Sequence, residues 1–209
     1  MLRDLLTRVA VVPVITIERL ADAAPLAEAL VAGGLTVLEV TLRTPVALEA
    51  IAAMRRATPT ATIGAGTVVS RALIADAVAA GSQFLVSPGF SAALAADARA
   101  HRVPLLPGVA TPTELMTALE AGFDTLKFFP AEQAGGVPML KALAAPFPKA
   151  MFCPTGGITA AKATEYLAQP NVVAVGMSSV APAERIAAGD FAGIAALART
   201  ASALRPATR

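Results

Sequence analysis

Short apolar runs alternate along the whole chain with longer segments in which apolar residues recur every three or four positions. The runs are Val9–Ile15, Thr36–Leu42, Thr62–Val68, Phe84–Pro88, Pro104–Val109, Thr125–Phe129, Met151–Thr155 and Val172–Gly176. Most are rich in β-branched or aromatic residues, the composition of strands buried on both faces. The segments around them read as helices: Leu2–Arg8, Leu20–Ala32, Pro45–Ala57, Arg71–Ala80, Ser91–Ala100, Pro112–Ala121, Val137–Ala144, Ala160–Ala168 and Asp190–Ala203. Thr44-Pro45 and Thr111-Pro112 place a capping threonine before a proline suited to the first helical position. Gly33, Gly81 and Gly122 stand where helices should stop.

Eight such units without a linker or a shift in composition predict an α/β fold, a single (β/α)8 TIM barrel domain over residues 1–209. The short N-terminal helix is expected to cover its bottom. An open doubly wound sheet is the rival arrangement, but neither a GxGxxG nor a Walker A pattern is present.

Composition then narrows the class. The chain is 56% hydrophobic with a mean hydropathy of +0.64, yet only 4% aromatic and without Trp. Alanine makes up about a quarter of it. That excludes a disordered chain. The long uncharged stretches Ala77–Ala96 and Tyr166–Ala183 are broken by Pro88, Gly89, Pro170 and Asn171, so no membrane span is expected. Seventeen basic against fifteen acidic residues leave +2, with no basic stripe for nucleic acid. Arg3 and Arg8 before Val9–Ile15 mimic a signal peptide weakly, but Asp4, Pro13 and the lack of a cleavage site argue against export. The lone Cys153 cannot form an internal disulfide and fits a reducing, cytoplasmic setting. One His and one Cys make no metal cluster, so no metal is expected.

In a barrel of this type, chemistry sits where strands end. Those ends carry Glu39, Thr41 and Arg43; Thr67; Ser87-Pro88-Gly89; Pro107-Gly108; Lys127-Phe128-Phe129-Pro130; Thr155-Gly156-Gly157; and Gly176-Met177-Ser178. Lys127 is flanked by large apolar side chains. An ammonium there must be paired or held neutral, and a neutral lysine condenses with ketones. Glu39 lies in similar surroundings, where a carboxyl keeps its proton more readily and so can both take and give one. A structural ion pair of Glu39 with Lys127 or Arg43 is the alternative, compatible with catalysis. Arg43 offers a planar fork for a carboxylate or phosphate. Gly156-Gly157 and Gly176-Met177-Ser178 end the last two strands with backbone N–H groups suited to a phosphate. Lys141, Lys149 and Lys162 read as surface charges, and Cys153 as a small core residue.

The segments Val37-Leu38-Glu39-Val40-Thr41-Leu42-Arg43-Thr44, Gly64-Ala65-Gly66-Thr67-Val68, Leu126-Lys127-Phe128-Phe129-Pro130-Ala131-Glu132 and Phe152-Cys153-Pro154-Thr155-Gly156-Gly157-Ile158 resemble the bacterial 2-keto-3-deoxy-6-phosphogluconate (KDPG) aldolase family. That family includes enzymes that also cleave 4-hydroxy-2-oxoglutarate (KHG). The resemblance runs from about Val12 to Ala198 and implies a class I aldolase of carbohydrate metabolism, the Entner–Doudoroff lyase, homotrimeric and without a cofactor. It implies that Lys127 forms the Schiff base and Glu39 shuttles protons. Arg43 and Thr67 would hold the pyruvate carboxylate, with Pro88, Phe129 and Thr155 in the pocket. Gly156, Gly157, Gly176, Met177 and Ser178 would bind the phosphate. The family's last strand often reads Gly-Gly-Ser and then an aromatic; Gly176-Met177-Ser178-Ser179 departs from it. A phosphosugar isomerase or epimerase using Glu39 as base, and a silent oligomeric scaffold, are the competing readings.

Overall fold

The computed structural model describes residues 2–204. Among them run nine strands: β1 Val11–Ile15, β2 Val37–Thr41, β3 Thr62–Gly66, β4 Leu85–Val86, β5 Leu105–Leu106, β6 Gly108–Val109, β7 Thr125–Phe128, β8 Met151–Pro154 and β9 Val175–Met177. The helices are α1 Leu2–Thr7, α2 Ala23–Ala32, α3 Ala47–Ala57, α4 Arg71–Ala79, α5 Ala92–Ala100, α6 Pro112–Glu120, α7 Gly136–Ala144, α8 Ala160–Leu167, α9 Ala183–Ala187 and α10 Phe191–Ser202. Each apolar run holds all or most of a strand, and the fifth holds two. Helix α9 has no counterpart in the sequence pattern.

The expected closed (β/α)8 barrel is not formed. The strands make a six-stranded parallel sheet, β5-β4-β3-β2-β1-β9, and a separate three-stranded sheet, β6-β7-β8. Two prolines account for the breaks. At Pro107 the chain leaves β4 for β7: the Pro107 carbonyl accepts from Lys127 N at 2.9 Å, but proline has no N–H to return. At the other seam the N–H groups of β8 alternate, Thr155 N donating to Phe128 and Phe152 N to Asn171. Pro154 falls where the next N–H toward β9 should be. Among the described residues this seam is bridged at two isolated points, Phe152↔Val172 and Thr155↔Gly176.

Alternation divides each strand between two cores. Leu38, Val40, Leu126, Phe128 and Phe152 pack among helix residues such as Leu26, Ile51, Ile74 and Leu140. Val12, Val37, Phe84, Val86, Leu106, Met151 and Cys153 face inward, and Leu6 of α1 joins them. The N-terminal helix thus covers the starts of the strands, as expected. The alanine content has a packing reason at α2 and α10, where a Cβ on Gly33 would lie 2.3 Å from Ala198 Cβ. Small residues let those helices touch along their backbones. Thr111 makes a full capping box with Glu114 at the start of α6. Thr44 does not cap α3, which starts later; its hydroxyl donates instead to Ile17 O at 2.6 Å.

Candidate active site

Lys127 and Glu39 point inward from strands of different sheets and meet. Lys127 Nζ donates to Glu39 Oε1 at 3.2 Å, with the two side chains only 5% and 4% exposed. The alternation of β7 sends Leu126 and Phe128 to the helices and leaves Lys127 inside; β2 does the same with Leu38 and Val40 around Glu39. Strand β3 makes room for the carboxylate. A Cβ on Gly66 would lie 2.2 Å from Glu39 Oε1, and one on Gly64 2.5 Å from the Phe84 ring. The Phe129 ring faces the ammonium, its centroid 5.1 Å from Nζ, a cation–π geometry.

Taking both charges out of water costs several kcal/mol per ion, so such a pair stabilises a fold weakly if at all. Its burial between two sheets suits chemistry better than stability. The carboxylate is within proton-transfer distance of the amine.

Around this pair the strand ends form a polar rim. Arg43 Nε donates to Thr67 Oγ1 at 3.0 Å, and Thr67 has a φ of +59°, the left-handed region uncommon outside glycine. Arg43 is exposed and does not pair with Glu39. Buried Thr41 donates to Ile15 O at 3.0 Å and lies 2.9 Å from Thr16 Oγ1. Thr16 escaped the sequence reading, and Gly66 and Gly108 carried no role in it. Thr16 ends the first run on a hydroxyl, a signal that was legible; the glycines act only through side chains or backbone far away in sequence. Gly108 admits the Pro88 carbonyl, 2.2 Å from where a Cβ would stand.

Thr155 is buried, its Oγ1 donating to Cys153 O at 3.3 Å. Gly156 and Gly157 have φ values of +108° and +75° and open the way to α8, which Thr159 caps. Gly176 is required for space rather than for φ: a Cβ there would lie 2.2 Å from Thr155 Oγ1. Met177 stays in β9 with its side chain buried, so a side chain there needs no glycine angles. Ser178 and Ser179 are exposed beside Val14 and Thr16 in one depression. Lys141 and Lys149 are exposed, whereas exposed Lys162 pairs with Glu132. Burial, reinforced by the Glu39 charge, pushes the Cys153 thiol up to about 12. Among the described residues no three His, Cys, Asp or Glu side chains gather as a metal site. No helix among them is long and apolar enough to cross a membrane.

Known proteins place these features in a family. The family model of KDPG and KHG aldolases matches residues 2–197. The 2-dehydro-3-deoxy-phosphogluconate aldolase of Treponema pallidum is 50% identical over 196 residues, 94% of this chain and 93% of that one. The KDPG aldolase of Zymomonas mobilis ZM4, solved with 3-phosphoglycerate, is 51% identical with a TM-score of 0.93, covering 98% of this chain and 97% of that chain. The Legionella pneumophila KDPG aldolase, solved with pyruvate captured as a covalent carbinolamine, is 46% identical with a TM-score of 0.94, covering 97% and 98%. Matched nearly end to end in both sequence and structure, this chain belongs to the KDPG and KHG aldolase family.

Proposed function

We propose that the chain is a class I aldolase that cleaves KDPG to pyruvate and glyceraldehyde 3-phosphate through a Schiff base on Lys127, and that it also accepts KHG. The buried Lys127–Glu39 pair at 3.2 Å carries this reading. A proton passes from the Lys127 ammonium to Glu39, and the free amine attacks the C2 ketone. Glu39 returns a proton to the carbinolamine hydroxyl, which leaves as water. The iminium draws electrons from the C3–C4 bond as Glu39, directly or through a water, takes the C4 hydroxyl proton. The aldehyde departs, the enamine is protonated at C3 and hydrolysis frees pyruvate.

Arg43 and Thr67 hold the carboxylate end, with Pro88, Phe129 and Thr155 around the ketone. The N–H groups of Gly156, Gly157 and Gly176, with the Ser178 hydroxyl, receive the phosphate, a reading supported by the 3-phosphoglycerate in the Zymomonas mobilis relative. Met177 lines this end of β9, its N–H engaged in the pairing with β1. A cytoplasmic homotrimer is the assembly this reading carries, the apolar surplus lying between subunits.

Borohydride reduction with pyruvate tests the chemistry. The peptide containing Lys127 should gain the mass of reduced pyruvate. An unlabelled lysine would overturn the Schiff base and favour an isomerase that uses Glu39 alone.

A further inference from the structure

The segment that begins at Lys127 ends on Glu132, a carboxylate the proposed chemistry leaves unused. Helix α8 engages both of its oxygens. Tyr166 Oη donates to Oε1 at 2.5 Å, and Lys162 Nζ forms an ion pair with Oε2. Tyr166 is buried and Lys162 exposed, one turn apart on the same helix. These donors, Lys162 first and then Tyr166, hold the Glu132 carboxyl below the usual range. Burial, aided by Glu132, pushes the phenol up, so it stays a donor.

The loop after β7 that holds Glu132 also packs against the Gly156-Gly157 turn, which follows β8. Ala131 N donates to Thr155 O at 2.8 Å and Glu132 N to Gly156 O at 3.2 Å. A Cβ on Gly157 would lie 2.9 Å from Glu132 Cγ, and one on Gly156 3.3 Å from Ala131 N. Helix α8 begins three residues past that turn. Glu132 therefore ties together the loop leaving the lysine strand, the glycine turn and the helix behind it. Its backbone supports the turn and its side chain anchors the helix.

We propose that Glu132 is a positioning residue: by gripping Tyr166 and Lys162 it fixes the Gly156-Gly157 N–H groups relative to Lys127, and so sets how well the substrate's phosphate is received. This rests on the phosphate reading above. Lys162 is half exposed, so its ion pair contributes little alone; the buried Tyr166 bond does most of the holding.

The test uses the full chain with Tyr166→Phe and Glu132→Gln, assayed on KDPG, on its unphosphorylated analogue and by borohydride trapping with pyruvate. KM for KDPG should rise about tenfold in each variant, the scale of one charge-assisted hydrogen bond. Its kcat, the KM of the unphosphorylated analogue and the trapping rate should stay within about twofold, a split that mere support of the fold would not produce. Unchanged KM in both variants overturns the proposal. So does a parallel fall of kcat, trapping and thermal midpoint. If the native protein itself shows no preference for KDPG over the unphosphorylated analogue, the phosphate reading fails first and the role of Glu132 with it.

Discussion

Where the strands begin, the inward face is filled by Val12, Val37, Phe84 and Met151, closed by Leu6 of α1; where they end, the same face holds Glu39, Thr41 and Lys127. Both ends use the same alternation and are equally buried. The first gains stability from each side chain, about 1.5–3 kcal/mol for a fully buried Leu or Phe. The second gives stability up, because an ion pair out of water barely recovers what desolvation costs. Apolar packing and the buried charged pair are thus separated along the strand axis, only a residue or two apart.

The sharpest way to break this comparison is to exchange the losses. Lys127→Ala should lower kcat/KM for KDPG by roughly 10⁴-fold or more and abolish borohydride trapping; surviving turnover at a tenth of the native rate would mean that another group does the chemistry. Glu39→Gln keeps the shape and removes the base. Turnover should drop about 10²–10⁴-fold while slow trapping of pyruvate persists. At the other end, Leu6→Ala should cost about 2–5 kcal/mol of unfolding free energy, read by denaturant titration, and leave kcat/KM at the native value. A loss of activity there without a loss of stability would dissolve the distinction. The smallest effect belongs to Cys153, which lies beside Lys127 in register yet packs with the apolar cluster. With its thiol raised to about 12 by burial, native protein at pH 8 should resist iodoacetamide and label only on unfolding; prompt labelling would place water where none is expected.

Much of this was legible before folding. Lys127 and Glu39 stood out because a charge inside an apolar run is costly to bury unless chemistry retains it, and the runs themselves located every strand. The sheet arrangement was not legible. Eight units of near-equal size suggested closure, but closure depends on which N–H faces which neighbour, and Pro107 and Pro154 remove one at each seam. Helix α9 is too short to carry a period. Glu132 was in view as part of a motif, but its role depends on Tyr166 and Lys162, thirty or more positions away.

The sequence by itself determined the alternation of elements, the family and the identity of the charged pair, because these follow from local composition and from motif residues. Only the tertiary structure decided that Glu39 and Lys127, 88 residues apart and in different sheets, meet at 3.2 Å. It also decided that Gly66 and Gly176 are small for the sake of Glu39 and Thr155, and that the strands form two sheets. Each of these depends on strand register, which is set by contacts between distant segments.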